Sequence, residues 1–369
     1  MFYKSGLKST VAVLTIVAIL FISPQIFAQH GSKSDHSVSS NEKEIEVVEM
    51  NTGDMIIEHI SDNYEWHILT WNDTHISIYL PVILYDQGEW HIFSSKHLHH
   101  GEADYEGYHV AKEGFNTGKL VRVVNGEEVR PDYDISITKN VLAIFLSSIF
   151  LIWIFISIAN SYKKRKGHAP KGLQSFLEPL VIFVRDDIAK SSIGPKYEKY
   201  TPYLLTIFFF IFFNNLLGII PFFPGGANVT GNIGVTGVMA AFTFIITTVS
   251  GNKNYWLHVF NMPGVPWWLK IPVPLMPIVE LMGIFTKPFV LMVRLFANIS
   301  AGHIIILGFV SLIFIFGNIH VAAGYGVSVV SVAFGIFMDL LELLVAFIQA
   351  YVFTILSALY FGMAIEEEH

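Results

Sequence analysis

Residues 288–303 read PFVLMVRLFANISAGH, and Arg294 stands in the middle of an otherwise apolar run. Burying a charged group in a membrane helix costs from about 2.5 to well over 10 kcal/mol for arginine at the bilayer centre, so such a residue marks function by default. Pro288 is the last proline, and from there to Ile365 the chain is strongly apolar. A glycine-containing break, Gly317 to Gly326, divides this region into two expected helices of about 277–316 and 327–363. At 1.5 Å per residue each would be roughly 60 Å long, about twice the thickness of a bilayer core. The reading is a strongly tilted antiparallel hairpin.

Outward from the hairpin, the composition agrees. The chain of 369 residues is 53% hydrophobic and 14% charged, with mean hydropathy +0.52, whereas a soluble domain usually carries about 25% charged residues. The deficit is concentrated after residue 138, where apolar blocks of bilayer-spanning length begin. Expected spans are 138–160, 200–220 and 233–250, followed by the hairpin at 277–363. Between them, 172–194 mixes apolar and charged positions as an interfacial amphipathic helix does. The segment Tyr255 to Pro277, with Trp256, Trp267 and Trp268, suits the membrane surface. Lys163, Lys164, Arg165 and Lys166 directly follow the first span and place its end in the cytoplasm.

The N-terminal part differs. Lys4 and Lys8, an apolar core from Val11 to Ile22, then Pro24 and Ala28 follow the order of a secretory signal over 1–28; the alternative is an uncleaved membrane helix. Either places residue 30 onward outside the cytoplasm, and the C-terminus inside. Residues 29–43 are Ser-rich and polar. From 45 to 135, runs such as 75–80 and 120–124, with Asn125-Gly126 between two of them, predict a small extracytoplasmic β-rich region. The fold class is therefore an all-α polytopic membrane protein: region 29–137 outside, membrane domain 138–365. The net charge of −7 and the absence of a basic surface exclude nucleic acid as a partner. There is no cysteine, which excludes disulfides and thiolate metal sites.

The polar residues of the hairpin carry the chemistry. Arg294 and Asn298 share a face at i, i+4. Glu280, fourteen residues before Arg294, is about 40° off its alignment, and His303, nine residues after it, points the opposite way. Glu342 and Gln349, seven apart, share a face of the second helix. Arginine cannot relay a proton, but its fixed charge attracts a carboxylate on a partner and blocks leakage. Glu342 and His303 can change charge. Groups on different faces, separated by the arginine, suggest two half-paths for protons. The plainer reading is a set of structural ion pairs that locks two helices.

The segment Arg294, Leu295, Phe296, Asn298, Gly302, His303 strongly resembles subunit a of the rotary F-type ATP synthases. So do Glu342 with Gln349 to Phe353, the run from Phe212 to Pro221, and the turn from Asn228 to Asn232. In some members the acid is on the first helix and the histidine on the second; here His303 and Glu342 are exchanged. The resemblance covers roughly 138–365. It implies a stator subunit in a bacterial inner membrane, working with a ring of c subunits, the b subunits of the peripheral stalk and the remaining ATP synthase subunits. Arg294 would face the carboxylate of each passing c subunit, Asn298, His303, Glu342 and Gln349 would line the inlet half-channel, and Glu280 would belong to the cytoplasmic outlet. No cofactor is implied.

Nothing transfers to the first 137 residues. His91, His97, His99, His100 and His109, near Glu102, Asp104 and Glu106, could hold zinc or copper, but no recognised metal spacing appears, and solvated histidines are the favoured reading. Without a G-x-x-x-x-G-K-[ST] loop the chain does not itself hydrolyse nucleotide. A secondary transporter binding an anion at Arg294 is the competing class; the internal repeats it often shows are not evident. A membrane-anchored receptor or metal-binding module would leave the hairpin charges without a purpose.

Overall fold

The structure, a computed structural model, describes residues 61–366 except 72–73, 102, 113, 165–167, 221–222 and 261–274. The expected signal segment, the polar stretch 29–43 and the two tryptophans Trp267 and Trp268 lie outside the described residues.

The N-terminal region is built of short antiparallel strands. β1 (Glu65–Trp71) and β2 (Thr74–Tyr79) form a hairpin. β3 (Pro81–Asp86) lies between β4 (Glu89–Ser94) and β8 (Tyr133–Asp134), and β6 (Leu120–Val124) between β5 (Tyr108–Val110) and β7 (Glu127–Val129). The runs expected at 75–80 and 120–124 are strands. Asn125 and Gly126 have φ of 54° and 86°, the double left-handed geometry that a two-residue hairpin turn needs. Alternation along β3 buries Val82 and Leu84 against Phe93, Leu98, Tyr108 and Leu120. Asp86, also buried, is held by Arg122 Nε at 3.0 Å and by the Tyr108 hydroxyl, which donates at 2.7 Å.

This region is tied to the first membrane helix, α1 (Lys139–Lys164). Helix N-termini leave backbone N–H groups without partners. Here Asp62 accepts from Asn140 N at 3.0 Å and from the Thr138 hydroxyl at 2.9 Å, and Asn63 O accepts from Lys139 N at 2.9 Å. Lys163 and Lys164 close the last turn, where cations favour the helix dipole.

Among the described residues, five helical runs are long and apolar enough to cross a membrane: 139–164, 173–219, 233–250, 277–319 and 321–365. The second is composite. Helix α2 (Leu173–Ile182) continues as a π-helical stretch, Phe183–Lys190, and a last turn, Ser191–Ile193. Val184, Ile188 and Ala189 are buried while Arg185 pairs with Asp186 at the surface, so the amphipathic segment does bury one side. Gly194, with φ of 73°, and Pro195 separate it from α3 (Tyr197–Ile219). Helices α4 (Ile233–Ser250) and α5 (Lys253–Phe260) follow, then α6 (Leu275–Ile319) and α7 (Val321–Ile365). The buried core joins Leu204, Phe208 and Ile211 of α3, Leu291, Leu295 and Ile299 of α6, and Ala350, Phe353 and Phe361 of α7.

The hairpin departs from expectation at its tip. The break is the single residue His320, not the stretch from Gly317 to Gly326, and each helix has 45 residues. His320 has extended backbone, and its Nδ1 accepts from Ala322 N at 3.1 Å, which caps α7. The glycines serve contact instead of breakage: a Cβ on Gly324 would lie 2.7 Å from Gly317 Cα. Small residues let membrane helices approach closely. Only 11% and 17% of the most apolar stretches of α6 and α7 is buried within the chain. So large an apolar face needs lipid or another subunit against it.

Candidate ion path

Two faces of α6 have different surroundings, as the helical spacing requires. Arg294 and Asn298 are exposed together on the apolar outer face of the hairpin. His303 is turned inward, its side chain only 16% exposed. Its Nδ1 lies 3.1 Å from Oε1 of Glu342, which is 6% exposed on α7. The contact is an ion pair whenever His303 is protonated, and Glu342 Oε1 has no aligned hydrogen-bond partner. Gly302 makes the approach possible. A Cβ there would stand 2.8 Å from Glu342 Oε1 and 3.3 Å from its Cδ.

The pair borders a narrow polar crevice walled by α3, α6, α7 and the loop after α3. Asn214, Asn215, Gly218, Asn228 and Thr230 line it with Ile299 and Ala346. Asn215 Oδ1 accepts from the Thr230 hydroxyl, and its amide reaches Ala346 O at 3.4 Å. Asn214 donates to Phe210 O at 2.8 Å. The remaining amide oxygens of Asn214 and Asn228 are buried without partners. Buried polar atoms are nearly always hydrogen-bonded to protein or water. Three acceptor oxygens, those of Asn214, Asn228 and Glu342, are thus left open around one crevice.

Two of the residues expected with His303 and Glu342 sit elsewhere. Asn298 shares the exposed face with Arg294 and does not line the crevice. Gln349 is buried two turns further along α7. Of the crevice residues, Asn214, Asn215, Asn228 and Thr230 received no role from helix spacing. Their signal was available: two adjacent amides inside an otherwise apolar span are costly without a purpose.

Glu280 lies far from the pair, near the start of α6, with Oε1 3.8 Å from Nδ1 of His258 on α5. Burial, and after it the charge of Glu280, pushes the Tyr255 hydroxyl upward in pKa. Tyr255 also lines a second small cavity with Thr243, Thr247, Lys287 and Tyr360, where Lys287 Nζ stands 5.6 Å from the centre of the Tyr360 ring. A hydroxyl thread continues inward from it: Tyr203 and Thr243 at 2.8 Å, Thr243 and Ser357 at 3.3 Å. Polar groups therefore stand on both sides of Arg294 along α6, Glu280 before it and His303 after it.

The profile of the ATP synthase A chain family matches residues 141–362. The chain belongs to that family. It is 45% identical over 243 residues to ATP synthase subunit a of Chloroherpeton thalassium, covering 64% of this chain and 68% of the relative. Subunit a 2 of Prosthecochloris aestuarii is 45% identical over 69% of this chain and 75% of its own. Subunit a 2 of Chlorobaculum tepidum is 49% identical over 63% and 64%. Family membership and the five apolar helices together make this a multi-pass membrane subunit of the ATP synthase complex. Residues 55–148 match a separate profile, a domain of unknown function (DUF8433). Among the described residues no three His, Asp or Glu converge as metal ligands. His91 pairs with Glu106 at 3.0 Å, His109 with Glu128 at 3.5 Å, and His97 stacks on Tyr105 at 4.4 Å.

Proposed function

We propose that this chain is the stator half of a rotary proton path, carrying protons through two half-channels to and from a ring of c subunits. The observation that carries the reading is the His303–Glu342 pair in its crevice on one side of an apolar hairpin whose other face exposes Arg294. Protons would reach the pair from outside through the crevice, pass to a ring carboxylate, and leave toward the cytoplasm past Glu280. Arg294 holds a permanent charge at the ring face, where it attracts the deprotonated carboxylate and separates the two half-channels. Asn298 shares that face, and Gln349 supports the buried side of α7.

In this reading the chain sits in a bacterial inner membrane with the β region 29–137 outside, following a signal at 1–28, and the C-terminus in the cytoplasm. The long hairpin lies strongly tilted, since helices of about 65 Å exceed a core of about 30 Å. The b subunits of the peripheral stalk hold it against the torque of the ring. The chain does no nucleotide chemistry of its own. The test is ATP-driven acidification of inverted vesicles containing the assembled complex. Arg294→Ala abolishes acidification while assembly is normal; acidification at the wild-type rate sinks the reading.

A further inference from the structure

The β region and the crevice meet at one contact. Trp66 of β1 is only 3% exposed and belongs to the same buried cluster as Ala227 and Val229, although it stands in the N-terminal β region. Its ring meets Phe223 edge-on, with centroids 5.1 Å apart and planes at 68°, the geometry aromatic pairs favour. Ile78, its cross-strand neighbour in the β1–β2 hairpin, packs against the same cluster. Phe223 opens the loop whose later residues, Ala227 to Thr230, form one wall of the crevice.

That loop has little regular structure, so its position depends on a few clamps. Gly226 N reaches Leu217 O at 3.1 Å, the Thr230 hydroxyl bonds Asn215, and the Ser300 hydroxyl reaches Gly231 O at 3.4 Å. These fix the loop to α3 and α6 from below. At its outer end Phe223 is still 39% exposed, and Trp66 packs edge-on against its ring. A long hairpin anchored at α1 through Asp62 and Asn63 thus sets a bulky indole on the loop from outside.

We infer that Trp66 is a positioning residue: through Phe223 it holds the crevice loop in place, so that the exported β region governs access to the His303–Glu342 pair. The inference rests on the proton-path reading for its functional consequence, but not for its structural one. It gives the N-terminal region a mechanical task.

The absence of cysteine allows a clean test. Ala227→Cys, a small change at a buried crevice position, reports loop position by its labelling with a membrane-impermeant thiol reagent added from the outer side. Assembled complexes in membranes are compared with Trp66 intact, with Trp66→Ala and with Trp66→Phe. The expected result is labelling several-fold faster with Trp66→Ala, together with several-fold slower ATP-driven acidification in the otherwise native chain. Trp66→Phe restores both. Phe223→Ala, the other half of the contact, gives the same two changes and serves if Trp66→Ala fails to assemble. Unchanged labelling, or unchanged acidification in an assembled variant, overturns the inference. Arg294→Ala run alongside separates the two levels: its full acidification would defeat the proton-path reading, while the labelling rates would still decide whether Trp66 holds the loop.

Discussion

Replacing Gly302 with alanine should loosen the inward pair at a small cost to folding. The added Cβ would stand 2.8 Å from Glu342 Oε1, where ordinary contact begins at 3.4 Å, so the carboxylate must retreat by roughly 0.6 Å. Because that oxygen ends a flexible side chain, the backbone need not move and the overpacking cost falls near the lower end of the usual range, about 1 kcal/mol. The pair suffers more directly. When His303 is protonated and Glu342 ionised, opposite unit charges at 3.1 Å attract by about 5 kcal/mol at an effective dielectric of 20, and a retreat of that size directly away from His303 removes roughly 1 kcal/mol, or about fivefold in pairing. The two helices should therefore remain assembled, with thermal melting of the complex nearly unchanged, while ATP-driven acidification of inverted vesicles falls about fivefold. Gly302→Ser should lose more, since its hydroxyl also offers the carboxylate a competing donor. Acidification at the wild-type rate by an assembled Gly302→Ala complex would refute the idea that the missing side chain sets the His303–Glu342 distance.

Other substitutions test the frame around the site. Gly324→Ala places a Cβ 2.7 Å from the Gly317 backbone, which cannot retreat as a side chain can; a loss of about 1–3 kcal/mol should appear as a lower melting temperature and faster proteolysis at the hairpin tip. Asp62→Ala removes the cap of α1, and capping losses run to about 0.5–2 kcal/mol, readable by thermal unfolding of the purified chain. Burial holds the Asp62 carboxyl above its ordinary range in the fold. The protonated form is thus favoured on folding: its contribution is full below the unfolded value and is lost as pH rises through the folded one. Unfolding should accordingly shift to higher temperature as pH is lowered toward 4, and Asp62→Asn, which keeps an acceptor oxygen for Asn140 N and removes the charge while its amide can only donate to the Thr138 hydroxyl, should flatten that dependence. A steeper slope in Asp62→Asn would contradict the assignment.

The amino-acid sequence alone specified a good deal. Apolar runs longer than a bilayer needs can only be membrane helices, because backbone groups in lipid must bond within their own segment. The periodicity of the helix then separated Arg294 and Asn298 from His303 without any tertiary information, since 100° per residue is a property of the backbone. Asn125-Gly126 announced its turn for a similarly local reason: few residues tolerate two successive positive φ values. Local rules were weaker where glycine has two uses. Gly317 and Gly324 suggested a break, yet in the fold they permit two helices to touch, and His320 alone turns the chain.

What the tertiary structure decided was which polar residues meet. Glu342 and His303 are 39 positions apart on opposite arms of the hairpin, and nothing in either arm states the register that brings them to 3.1 Å. Asn214, Asn215, Asn228 and Thr230 join them from α3 and its loop, and Trp66 reaches the same loop from a strand outside the membrane. Asn298 and Gln349 stand away from the pair for a local reason, since Asn298 is turned about 140° from His303 on α6 and Gln349 lies two turns beyond Glu342 on α7. Periodicity fixes the angles between residues on one helix, but the rotation of one helix against another is set by packing. Here small residues at Gly302, Gly324, Gly362 and Ala346 determine how closely the arms and their neighbours approach.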